Sequence, residues 1–132
     1  MTVGEQYEVA VSLRLTGEFE PDGVTAALGL APSKQWRAGQ PGGAPKLRRK
    51  SDGWVLKLVD NVGSVDDSIH QAVDRLEEIN ARLQPVVDDP NISGCLAVSV
   101  DAPANCWPSI ILSNSTLSFL TSTRLSFDID VM

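Results

Sequence analysis

Between residues 7 and 15 the chain alternates without a break. Tyr7, Val9, Val11, Leu13 and Leu15 are apolar, and Glu8, Ala10, Ser12 and Arg14 between them are small, polar or charged. A period of two over this length describes a strand with one face on a core and the other nearer water. Gly17 ends it. The same alternation returns at the end of the chain, where Leu125, Phe127, Ile129 and Val131 interleave with Ser126, Asp128 and Asp130.

The segments between these strands supply what covers them. Glu20-Pro21-Asp22 reads as a helix start, with proline early in the first turn where its missing N–H costs little. Val24, Ala27 and Leu28 form its apolar stripe, and Gly29 is its C-terminal cap. Residues 31–50 hold Pro32, Gly39, Pro41, Gly42, Gly43 and Pro45, which predict a long loop without regular elements. Trp54 to Val59 alternates as a second strand. Ser64 with Asp67 three residues on resembles a capping box. From there Val65, Ile69, Val73, Leu76, Ile79 and Leu83 recur at three- and four-residue steps, predicting one helix to about Pro85 with Asp66, Asp74, Glu77 and Glu78 on its wet side. Asp89-Pro90-Asn91 marks a turn. Gly94 to Val100 reads as a well-buried third strand. A loop over 102–108, anchored by Trp107, leads to a short extended piece at Ser109–Leu112. Leu117 and Leu120 at helical spacing, with Ser113 as cap, predict a helix over 114–122.

Strands with period two, rather than continuous apolar runs, favour an antiparallel sheet over a parallel one. The expected architecture is α+β: a mostly antiparallel sheet of four to five strands with two or three helices packed on it, in a single domain spanning 1–132. A chain of 132 residues that is 42% hydrophobic can bury a core without metal or disulfide support.

Four segments together resemble the bacterial domain-of-unknown-function family 4279. They are the opening strand Tyr7 to Leu15, the Pro21-Asp22 helix ending Leu28-Gly29-Leu30, Trp36-Arg37-Ala38-Gly39, and the closing strand Leu125 to Val131. The resemblance implies a small bacterial α+β domain with no assigned catalysis, and it carries no functional residues with it.

A net charge of −6 disfavours nonspecific binding to phosphate backbones or anionic membranes. No secretory signal and no membrane-spanning apolar run is visible, so the expected setting is the cytoplasm. Cys95 and Cys106, without clustered histidines, make neither a zinc site nor a disulfide framework. No cofactor is expected.

The charge is uneven, however. Lys34, Arg37, Lys46, Arg48, Arg49 and Lys50 bring six of the eleven basic residues into one stretch free of acids, with Trp36 among them. Such a loop offers Trp36, Arg37, Lys46, Arg48, Arg49 and Lys50 to an acidic protein surface or to a phosphate-bearing ligand; the plain alternative is a solvated loop. Gly39-Gln40-Pro41-Gly42-Gly43 matches no phosphate-binding fingerprint. Asp128 and Asp130 share a strand face, where paired carboxylates serve acid–base chemistry or cation binding; Glu8 is a conceivable third member, and a wet strand face the bland reading. His70 has no nucleophile elbow near it, and Cys106 no visible base. The leading expectation is a non-enzymatic binding or protein-interaction module, with an unknown protein partner or a second copy as its occupant. The alternatives are a hydrolase or transferase using Asp128 and Asp130, or an accessory protein touching nucleic acid through loop 34–50.

Overall fold

The computed structural model of the chain describes residues 7–42, 47–103 and 106–132. Its elements in chain order are β1 (Tyr7–Gly17), α1 (Pro21–Leu28), β2 (Lys34–Trp36), β3 (Asp52–Gly63), α2 (Val65–Glu78), α3 (Asn80–Val87), β4 (Ile92–Asp101), α4 (Asn114–Ser122) and β5 (Leu125–Val131). The alternating first segment becomes the middle strand of a five-stranded sheet ordered β2-β3-β1-β4-β5. Each pairing is antiparallel except β4 with β5. That parallel pair is joined through α4, as a crossover between parallel strands requires.

The apolar half of each strand faces the helices. Val9, Val11, Leu13 and Leu15 of β1, and Leu96, Val98 and Val100 of β4, are buried together with Ile69, Ala72, Val73 and Leu76 of α2. Trp54 of β3 is fully buried and its indole N–H donates to Thr25 Oγ1 of α1 at 3.0 Å, which satisfies the one polar atom that burial would strand. The β1–β3 register slips between Val11 and Ser12: Val11 lies opposite Val59 and Ser12 opposite Lys57. Leu58 is the extra residue of this bulge, and the guanidinium of Arg75 takes its carbonyl.

Two glycines are needed where they stand. Gly17 has φ 144°, and a Cβ there would lie 1.9 Å from the Asn91 carbonyl oxygen. Gly29 closes α1 in the left-handed region, its N–H donating to the Thr25 carbonyl.

The class and strand count match expectation, and four details do not. The 31–50 segment is not featureless: it contains β2, and Pro41 bridges Arg48 in a small ribbon. The single helix from Ser64 is two, broken at Ile79; Pro85 sits inside α3 instead of ending the run. The break turns Leu83, Val86 and Val87 into the core against α1 and β4, a direction that a straight continuation of α2 would not give them. Ser109–Leu112 is not a strand. Trp107 does not anchor its loop, being 81% exposed; Cys106, Ile110 and Leu112 pack on the core instead. The 114–122 helix is present, and Ser113 caps it by accepting the Thr116 N–H.

Candidate functional site

The helices gather on one side, and no helix among the described residues covers the other side of the sheet. The strand register arranges its residues in rows. Lys57, Ser12, Ala97 and Asp128 are mutual neighbours across four strands. On one side of that row lie Lys34, Val55, Arg14, Cys95 and Ser126; on the other lie Asp60, Ala10, Ser99 and Asp130. The small side chains Ala10, Ser12, Ala97 and Ser99 form the floor of a shallow concavity of about 490 Å³. Lys34, Lys57 and Arg14 stand on one flank and Asp128 and Asp130 on the other. Lys57 and Asp128 sit on strands three spacings apart, about 14 Å between backbones. The face is therefore unevenly charged: Lys34 and Arg14 stand toward β2 and β1, Lys57 of β3 is paired with Asp60 at 3.2 Å, and carboxylates run along β5.

The structure brings the two sequence candidates to opposite edges of this one surface. Asp128 and Asp130 do share a face and line the concavity. Glu8 lies away from it, opposite Asp101 of β4 and beyond the Asp130 row. Among the described residues no three His, Cys, Asp or Glu side chains converge to hold a metal ion. Cys95, read from sequence as a buried apolar strand residue, is half-buried on the open face. Burial, with the Asp128 carboxylate adding to it, pushes its thiol above the ordinary range, so it is a poor nucleophile at neutral pH.

The basic loop is less available than its composition implies. Trp36 lies flat over Gly53, where a Cβ would fall 2.0 Å from the ring, and the Arg49 guanidinium stacks 4.2 Å from the ring centroid. Lys34 Nζ lies 5.7 Å from the same centroid. Arg37 is paired with Glu20 and Asp22 near the start of α1. The ribbon is held at its base by Asp52, whose two carboxylate oxygens accept the N–H groups of Ala38 and Phe19, both at 2.9 Å. Those two bonds hold the Asp52 carboxyl below its usual range. Arg48 and Lys50 remain exposed, and Lys46 lies outside the described residues. His70 is exposed, with Nε2 3.2 Å from Ser113 Oγ, the same hydroxyl that caps α4.

Sequence reasoning missed Arg14, Lys57, Ser12, Ala97 and Ser99 as parts of a surface. Their alternation was visible, but the register that lines them up spans residues far apart in the chain.

The fold and surface define an α+β domain with one covered and one bare sheet face. The chain belongs to the DUF4279 family, a domain of unknown function, which matches residues 5–132. No curated protein and no solved structure matches it. No helix among the described residues is long and apolar enough to cross a membrane.

Proposed function

We propose that this is a non-enzymatic protein-interaction module of the bacterial cytoplasm, and that it recognises its partner with the bare face of the sheet. The observation that carries this reading is the floor of small residues with Lys34 and Arg14 on one side and Asp128 and Asp130 on the other, on a surface that no helix among the described residues covers. A shallow, charge-split surface suits a macromolecular partner, whose own charges fix its register. Enzyme pockets bury most of their ligand; Asp128 and Asp130 instead stand exposed on the rim of a shallow floor. Two free cysteines fit a reducing compartment.

The test is site-resolved photo-crosslinking in the native host. A photoreactive residue replacing Ser12 or Ala97 is expected to capture one discrete protein. The same residue at Glu77, on the exposed side of α2, is expected to capture none. Capture from Glu77 with none from Ser12 or Ala97 would reverse the reading.

A further inference from the structure

The sheet has two edges, and they are not equivalent. On one side β2 is three residues long. Beyond it the β3 edge is partly occupied by side chains: Ser33 Oγ accepts the Lys57 N–H at 2.8 Å, and Arg75 takes the Leu58 carbonyl. The other edge is β5, seven residues long. Every second residue of an edge strand turns its N–H and C=O away from the sheet. Among the described residues, no backbone–backbone hydrogen bond outside the ladder reaches Leu125–Val131.

The side chains of β5 are sorted by face. Ser126, Asp128 and Asp130 are exposed on the bare side, while Phe127, Ile129 and Val131 are only half-covered on the helix side. A second copy pairing antiparallel here, with both helix layers on one side, would set carboxylate against carboxylate, which is destabilising. A strand carrying lysine or arginine at alternate positions meets the opposite situation. Its cations fall beside Asp128 and Asp130, and its intervening apolar residues extend the core over Phe127, Ile129 and Val131.

We propose that β5 is a docking edge for an extended partner segment alternating basic and apolar residues, added to the sheet as a sixth strand. This rests on the reading of the chain as an interaction module and names the chemistry of its partner. Main-chain hydrogen bonds supply the attachment. The carboxylates and the half-covered apolar stripe supply the selection.

The experiment uses the full chain and a capped seven-residue peptide alternating lysine and valine. Titration followed by amide NMR is expected to shift the β5 resonances and slow hydrogen exchange of the amides that point away from β4. Replacing the lysines by glutamate, or N-methylating alternate peptide nitrogens in the phase that faces β5, is expected to weaken binding at least tenfold. The double variant Asp128→Lys, Asp130→Lys, checked for an unchanged fold by its amide spectrum, is expected to prefer the glutamate peptide. Absence of binding, equal binding of the lysine and glutamate peptides, or indifference to N-methylation in both phases would each overturn the proposal. If β5 fails these tests while Ser12 and Ala97 still crosslink to a partner, the edge proposal falls and the interaction-module reading stands.

Discussion

Single residues hold the bare face in shape. Asp52 spends one carboxylate oxygen on Ala38 and the other on Phe19, tying the ribbon to the chain after β1. Asparagine offers one acceptor oxygen in place of two, so Asp52→Asn loses one bond at nearly constant volume. Amide exchange at Ala38 or Phe19 should then quicken. The folded carboxyl titrates below its unfolded value, so its contribution is complete above the unfolded range, near pH ~4, and is lost as pH falls through the folded value. The stability difference between wild type and Asp52→Asn, followed by denaturant melts, should be constant above about pH 5 and close below about pH 4. Trp54 and Thr25 give a second check. Thr25→Val keeps the shape but leaves the buried indole N–H without its acceptor, and should cost about 1–3 kcal/mol in urea unfolding. Leu76→Ala, at a fully buried position, should cost about 2–5 kcal/mol.

At the scale of elements, β1 and β5 were legible because strand alternation is a local signal that burial on one face imposes directly. The α4 helix was legible through Leu120 and the Ser113 cap despite its serines and threonines, but Leu117 stays exposed and Thr116 and Phe119 take the buried face with Leu120. Three features were hidden. The short strand β2 exists through its pairing with Gly53–Val55, and Trp36 supplies over Gly53 the side chain that glycine lacks. The break at Ile79 comes from the need to aim Leu83, Val86 and Val87 at a different neighbour, while the heptad-like spacing runs straight through it. Trp107 looked like an anchor because large aromatics usually pack; here Cys106 takes that place. The charges on β5 also carry an element-scale prediction. If Asp128 and Asp130 keep two β5 edges apart, the double variant Asp128→Asn, Asp130→Asn should self-associate at concentrations where wild type sediments as a smaller species. Unchanged sedimentation would show that other features protect this edge.

For the whole molecule, an overall charge of −6 concealed a polarised surface. Composition located the basic residues in one stretch, but the fold disperses them: Arg37 to the start of α1, Arg49 onto Trp36, Lys34 onto the bare face. It then sets Lys34 beside Arg14 and Lys57, which come from other strands. The acidic pair was readable because its two members are neighbours on one strand. The cationic flank was not, since it exists through register between β1, β2 and β3. What results is a sheet whose covered side holds the core and whose other side is the surface we propose for recognition. The most direct test is carboxylate footprinting of the wild-type chain, read by mass spectrometry, in native host extract and as purified protein. Asp128 and Asp130 should lose reactivity in the extract while Asp74, Glu77 and Glu78 on the exposed side of α2 keep theirs. Protection confined to Asp74, Glu77 and Glu78, with Asp128 and Asp130 unchanged, would place recognition on the wrong side of the molecule and contradict the account.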